Sequence, residues 1–534
     1  MIIGAGVGGL TAAMRLQHAG VQVTLYEKQQ GPGGRCGRVE FDGFRFDLGP
    51  TILLMPFVLE QTFASVGRKL SDELKLTRCD PHYRVHYRDG SRFTLHSEPN
   101  AMAAELERLE PGSAQRYRDF LEHGRKQNDI AFERFITRHF EGLFDFVTPS
   151  NVPRIVQVGA LQRLWSHVSK FFKDDRLKQA LSFQTMYLGI SPWEAPAVFS
   201  LLPFTEANHG IWFPEGGLHA VPLALERVCR EEGVSLNYSR GVRRVLTDSS
   251  GRAIGVELED GTKDLADAVV CNADYAWAVD TLLTGAVREK RKQSVEKRKF
   301  TSSGLMLYLG VKGRVEPLLH HNVFFGRDFR TSFDDIFEKL RVPSDVSFYV
   351  NAPSRTGNGF APEGHDALYV LVPVPHTAEG AQKIDWKIEG PRVREQVLTR
   401  LAAEGYGDLR ERIVSERMIT PDDWRTEHFL ARGSNFGLAQ NFWQIGPFRP
   451  RVNDPDVEGL FWCGASIQPG TGVPTVMLSA KFAVDAVLKQ LNVPTSEANE
   501  AVAQSVRIAA IEAVASAPAG EGRGEGQSTA RASP

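Results

Sequence analysis

Ile2-Ile3-Gly4-Ala5-Gly6-Val7-Gly8-Gly9-Leu10 is the stretch that decides the fold. A short apolar strand runs into G-x-G-x-x-G, and an amphipathic run follows with Leu10, Ala13, Met14 and Leu16. Gly20 ends that run, and Val21-Gln22-Val23-Thr24-Leu25-Tyr26 reads as a second strand closed by Glu27. Strand, glycine turn, helix, strand and terminal acid together predict a dinucleotide-binding β-α-β unit. Gly4 permits the tight turn, Gly6 lets the backbone approach a pyrophosphate, and Gly9 allows the helix to lie close on the strand. The helix N-terminus offers free N–H groups and the positive end of its dipole to the phosphates. Glu27 can accept both ribose hydroxyls and would repel a 2′-phosphate.

Working outward, Gly31-Pro32-Gly33-Gly34-Arg35 follows Glu27 almost at once, and then comes Phe46-Asp47-Leu48-Gly49-Pro50-Thr51. A Gly-Gly-Arg just past the ribose acid resembles the second fingerprint of the FAD-binding, amine-oxidase-like flavoproteins. The resemblance implies that Arg35 and the Gly34 backbone add contacts to the cofactor.

At 534 residues the chain is too long for one hydrophobic core and is expected to divide into two or three domains. Its net charge of −2 gives no basic surface for nucleic acid. Cys36, Cys79, Cys229, Cys271 and Cys463 are scattered without C-x-x-C spacing, which excludes a disulfide framework and points to a reducing compartment. His82 and His86 are four apart in a stretch that reads as strand, so no metal site is expected there or elsewhere. No apolar run approaches the ~18–20 residues of a membrane-spanning helix. The cofactor motif begins at the second residue, which leaves no room for a signal peptide and suggests that the first strand starts further upstream.

Along the chain, Pro56 to Gly67 reads as a helix, and Tyr83–Tyr87 with Arg92–Leu95 as a hairpin closed at Asp89-Gly90. From about Asn100 to Phe213 the pattern is helical. One helix there is expected to carry Ile155, Val158, Leu161, Leu164, Trp165, Val168, Phe171 and Phe172. Such a stripe packs on its own core or lies on a bilayer, with Trp165 at the boundary. The segment Ser191 to Thr205 continues apolar and aromatic, suiting a channel wall or a lipid-facing surface. Leu218–Glu232 reads as a helix, Val234–Tyr238, Gly241–Leu246 and Ala253–Leu258 as strands, and Ala268–Ala273 as a buried parallel strand. Gly459 to Gly464 ends a strand, a Gly/Pro loop follows, and a helix opens near Thr475 with its N-terminus toward the flavin's pyrimidine edge. Beyond Asn492, Ala, Gly, Ser, Glu and Pro dominate, which predicts disorder.

Met186-Tyr187-Leu188-Gly189-Ile190-Ser191-Pro192, Gly210-Ile211-Trp212-Phe213-Pro214-Glu215-Gly216-Gly217 and Gly464-Ala465-Ser466-Ile467-Gln468-Pro469-Gly470-Thr471-Gly472-Val473-Pro474 complete the pattern. With the two glycine fingerprints and the Phe46–Thr51 block, the chain resembles the phytoene desaturases of the bacterial and fungal carotenoid-desaturase family, to about Leu491. One departure stands in the last block: the family commonly has Thr-His-Pro-Gly where this chain has Ile467-Gln468-Pro469-Gly470.

The resemblance implies an α/β fold: a discontinuous Rossmann-type FAD-binding domain (1–80, 214–300, 455–491) and a mixed-sheet substrate domain (81–99, 301–454). A helical, membrane-facing subdomain (100–213) and a disordered tail (492–534) complete it. FAD is expected to touch Gly4, Gly6, Gly8, Gly9, Glu27 and Lys28, then Gly34, Arg35, Pro50 and Thr51. Val242 is expected against the adenine, on strands that extend the cofactor sheet, and Gly464, Ala465, Gly472, Val473 and Pro474 near the flavin ring. The implied activity is stepwise desaturation of phytoene toward lycopene. Removing hydrogen beside conjugated double bonds needs positioning and exclusion of water rather than a strong nucleophile, and no triad, metal cluster or convincing base is evident. Only one dinucleotide fingerprint is present, so a quinone or oxygen is the expected electron acceptor. A lipophilic carotenoid substrate implies a cytoplasmic protein bound peripherally to a membrane. Carotenoid 3,4-desaturase, isomerase or ketolase activity, an amine oxidase, and a non-catalytic flavin or isoprenoid carrier are the alternatives.

Overall fold

A computed structural model describes residues 1–378 and 383–494. All but 492–494 of the tail expected to be disordered lies outside the described residues. β1 (Ile2–Ile3), α1 (Val7–His18) and β2 (Thr24–Tyr26) form the opening β-α-β unit. Ile2 lies opposite Leu25 on one side and Val270 on the other, in parallel register. The five-stranded parallel sheet runs in the order Leu460–Trp462, Val269–Cys271, β1, β2, Ser235–Asn237. Its central strands read as unbroken apolar runs because both faces are covered. Leu10, Ala13, Met14 and Leu16 of α1 are all buried, and α1 packs against the C-terminal helix Val473–Gln490.

A seven-stranded mixed sheet faces this unit, in the order Ile413–Ile419, Ser303–Lys312, His365–Val374, Phe348–Asn351, His321–Phe324, Tyr83–His86, Arg92–Leu95. The hairpin at its edge sets Tyr83 opposite Leu95, as the alternation predicts. Ser303–Lys312 shows why its strand is apolar throughout. Leu305, Leu307 and Leu309 enter one core with the helix Trp386–Leu401, while Met306 and Tyr308 enter the main core on the other face.

Two expectations are corrected. Val242–Thr247 and Ala253–Leu258 do not extend the cofactor sheet; with Lys263–Leu265 they form a separate antiparallel sheet. The single helix expected through Ile155–Phe172 is two, Val152–Gln157 and Leu164–Val168. Gly159 stops the first in the left-handed region at φ +72, and Arg163 then bridges to Pro196 as extended chain. The stripe therefore splits. Leu164, Val168 and Phe172 are buried, Trp165 packs on Trp193 with ring centroids 4.7 Å apart, and Phe171 on Phe120 at 5.4 Å. These aromatics are spent on internal packing, whereas Val156 and Leu161 are 61% and 70% exposed.

Candidate active site

A cavity of ≈ 970 Å³ opens at the N-terminus of α1, between the parallel sheet and the mixed sheet. Gly4 turns the chain there at φ +95, and a Cβ on Gly9 would stand 1.9 Å from the Gly4 carbonyl oxygen, so helix and strand meet at a distance only glycine allows. Gly33 donates its N–H to the Ala5 carbonyl at 2.8 Å, drawing the second fingerprint onto the first. Glu27 accepts from the Ala5 N–H and the Gln29 N–H, each at 2.7 Å. Burial raises its pKa, and those backbone donors oppose the shift.

Of the residues expected at the cofactor, all but Gly9 line this one cavity; Gly9 stands behind it as the packing contact. The structure adds Asn272. Its amide donates to the Gly4 carbonyl at 3.5 Å, and a Cβ on Gly8 would lie 2.4 Å from its Oδ1. Asn272 follows the buried strand Val269–Cys271 directly, at the carboxyl end where open α/β sheets bind ligands, and that position is the signal that could have found it. Asp274, two residues on, also lines the cavity. Burial raises its carboxyl pKa, and the Arg35 guanidinium is the main influence holding it down. Arg35 in turn donates to the Asn435 carbonyl at 3.3 Å.

Three tyrosines of the mixed sheet string the Leu48–Thr51 segment along the cavity. Tyr308 donates to the Leu48 carbonyl at 2.7 Å, Tyr369 to the Gly49 carbonyl at 2.6 Å, and the Tyr349 hydroxyl pairs with Thr51 Oγ1 at 2.9 Å. Asp47, just upstream, accepts the N–H groups of Leu218 and His219 at 2.9 and 3.0 Å, and burial pushes its pKa up to about 6. Gly217 is required beside it, since a Cβ there would lie 2.8 Å from the carboxylate.

The Gly464–Pro474 loop closes the opposite wall. Gly464 adopts φ +117 and donates its N–H to Ser479 Oγ at 3.1 Å. The C-terminal helix starts at Val473 behind Gly472 with no side-chain cap, as α1 starts behind Gly6 with none. Two uncapped helix N-termini therefore face one cavity, and Val476 of the second touches the glycine turn of the first. That cradle fits a dinucleotide whose pyrophosphate meets one terminus and whose electron-rich ring edge meets the other. Gln468, which stands where the resemblance expects histidine, does not line the cavity. It is buried, its Oε1 accepting from the Phe140 N–H at 2.8 Å and its Nε2 donating to the Phe140 carbonyl at 2.9 Å.

Away from the glycine loops the same cavity is walled by Phe183, Met186, Leu188, Phe199, Leu202 and Phe325. Part of the Ser191–Thr205 segment thus serves as a chamber wall. Fold and site together define a flavin-dependent oxidoreductase whose cofactor cleft continues into an apolar chamber.

Residues 7–488 match the family described as flavin containing amine oxidoreductase. The zeta-carotene-forming phytoene desaturase of Myxococcus xanthus is 56% identical over 91% of this chain and 93% of its own. The all-trans-zeta-carotene desaturase of the same organism is 35% identical over 92% and 93%. The solved structure of an oxidoreductase from Methanosarcina mazei shares the fold alone, with TM-score 0.62 and 19% identity over 91% of this chain and 99% of that one. The chain belongs to the flavin-containing amine oxidoreductases and, within them, to the phytoene-desaturase type of carotenoid desaturase, FAD-dependent oxidoreductases acting on CH–CH groups.

Proposed function

We propose that this protein desaturates phytoene and that zeta-carotene is its main product. The observation that carries the reading is the identity to the zeta-carotene-forming relative, far above that to the zeta-carotene desaturase of the same organism. The apolar chamber continuous with the cofactor cleft supports it, because a C40 hydrocarbon offers nothing for polar side chains to recognise.

FAD, when bound, supplies the two-electron acceptor for the dehydrogenation. The chain's own part is binding and exclusion. Gly4, Gly6, Gly8 and Asn272 would hold the pyrophosphate segment and Glu27 the ribose. Val242 would meet the adenine, and Arg35, Asp274 and Gly472–Pro474 would frame the ring. Phe183, Met186 and Leu188 would align the polyene against that ring and keep water out. Charge developing on the substrate spreads along its conjugated system, so the reaction demands no ionised side chain beside the reacting carbons. The single dinucleotide fingerprint supports a quinone or oxygen, rather than a nicotinamide, as the final acceptor.

Substrate delivery from lipid is part of the reading. Among the described residues no helix is long and apolar enough to cross a membrane. Phe144, Val156, Leu161 and Trp443 are nevertheless 92%, 61%, 70% and 71% exposed. The short helix bearing Phe144 packs through Phe146 on Gly446, and Trp443 packs on Phe448, which gathers Phe144 and Trp443 into one region. We assign peripheral membrane contact to this region, in place of Trp165, Phe171 and Phe172.

Expression in cells that make only phytoene tests the activity. Accumulation of zeta-carotene is the expected result. Lycopene would extend the number of steps, and untouched phytoene would overturn the assignment.

A further inference from the structure

Cys79 ends the strand Leu76–Cys79, while His320 and His321 lie at the start of a strand of the mixed sheet, about 240 residues later in the chain. The fold brings them together: Sγ and one nitrogen from each imidazole lie within 4.8 Å of one another. All three residues are buried, at 2%, 5% and 0% exposure. From this geometry we propose that Cys79, His320 and His321 bind a closed-shell thiophilic cation, zinc(II) or copper(I), behind the wall of the chamber.

Four observations support a built site. His320 Nδ1 is bonded to Thr356 Oγ1 and His321 Nδ1 to the Tyr349 hydroxyl, each at 2.6 Å, and Thr356 also hydrogen-bonds Cys79, so hydroxyls hold the rings and the thiol in place. The Nε2 atoms of both rings are buried without a partner, which is unfavourable unless something completes them. One thiol and two imidazoles are the donor set that zinc(II) and copper(I) prefer. Burial also keeps both rings neutral with free lone pairs, lowering His320 to about 3 and His321 well below its ordinary value.

A trigonal site needs ligand atoms about 3.6–3.8 Å apart, so closure requires side-chain movement of no more than about 1 Å. Burial pushes the Cys79 thiol up to about 12, so it holds its proton until the cation arrives. Binding then forms one metal–sulfur and two metal–nitrogen bonds and releases that single proton to solvent. His82 and Arg355 are the groups whose fields reach the two imidazoles; burial lowers His82 to about 4, and Arg355 is paired with Asp366 at 2.9 Å. The cation would tie the Cys79 strand to the mixed sheet and fix Tyr349, which also bonds Thr51 at the cavity wall.

The test uses full-length protein with FAD, purified under reducing conditions. Metal analysis should find about one equivalent of zinc or copper per chain, and whichever is found identifies the cation. Chelator-treated protein titrated with cobalt(II) should give a thiolate-to-cobalt charge-transfer band in the near ultraviolet, with one proton released per ion. Cys79→Ser should abolish that band. Thr356→Val should weaken binding about 10–100-fold yet keep the band at saturation. Circular dichroism and flavin absorbance establish that each variant is folded. Folded wild-type protein that takes up neither cobalt(II) nor copper(I), or a band that survives Cys79→Ser, would overturn the site.

Discussion

Arg449 Nε donates to the Ile467 carbonyl at 3.0 Å, from a side chain that is only 2% exposed. Its guanidinium also reaches the carbonyls of Ala439, Gln444, Leu438 and Ala465. Its hydrogen-bond partners among the described residues are thus main-chain oxygens, and burial without a counter-charge lowers its pKa to about 9. Carbonyl dipoles take the place of a carboxylate, and the loop that carries Gly464 and Ala465 is held by them.

Arg449→Lys should therefore loosen this loop. An ammonium offers three donors from one point and cannot serve five carbonyls that a planar fork reaches. We expect a loss of about 2–4 kcal/mol in stability, from buried acceptors left unpaired and a charge less well solvated. Thermal unfolding and FAD release would measure it. An unchanged melting temperature with unchanged FAD retention would show that the loop stands without the clamp.

Gln468→Ala separates stability from specificity. The variant loses both hydrogen bonds to the Phe140 backbone and strands that N–H and carbonyl, at a cost of about 1–3 kcal/mol. Because the Gln468 side chain does not line the cavity, the ratio of carotenoid products should not move. A shift in that ratio, read by chromatography, would place residue 468 in substrate selection after all.

Glu206 supplies a pH test. Burial raises its pKa from 4.5 to about 7, against the opposing pull of Tyr83, Gln184 and Tyr187. A folded-state value above the unfolded one means that the folded protein keeps the proton longer. The stability this contributes is whole below about pH 4.5, falls as pH rises to about 7 and is then gone. Glu206→Gln is always neutral, so it should match the parent near pH 5 and exceed it at pH 8 by about 1–3 kcal/mol. Denaturant unfolding at the two pH values measures the difference; equal gaps at both would show that the carboxyl does not titrate as described.

Phe144→Glu combined with Trp443→Glu should release the protein from liposomes. Each apolar side chain withdrawn from water is worth about 1.5–3 kcal/mol, so the pair should lower partitioning at least tenfold. Co-flotation undiminished by the double change would remove this surface from consideration. Substitution at the buried Phe172 should instead lower the melting temperature.

The cofactor side was legible because its signals are local. The glycines, Glu27 and Gly34-Arg35 lie within one short stretch, and each residue type answers a backbone or charge requirement that spacing alone reveals. Val269–Cys271 could be read as buried because a doubly covered strand is apolar throughout. The surface we assign to membrane contact was harder to place. Helical spacing says which residues share a face, but not that Gly159 breaks the helix or that Trp193 and Phe120 lie against that face. Arg449 and the Cys79–His320–His321 cluster were invisible for a related reason. Their roles depend on partners distant in sequence, and no spacing rule reaches that far.

The parallel sheet has a consequence for how this molecule is made. Its neighbouring strands come from residues 2–3, 269–271 and 460–462, so the strand that completes one side is made long after the strand it pairs with. At about 5–20 residues per second, β1 waits roughly 15–55 s for Val269–Cys271, and that strand waits a further ~10–40 s for Leu460–Trp462. Until then an apolar sheet edge stands open in the nascent chain, and shielding it during synthesis falls to the cell rather than to the polypeptide.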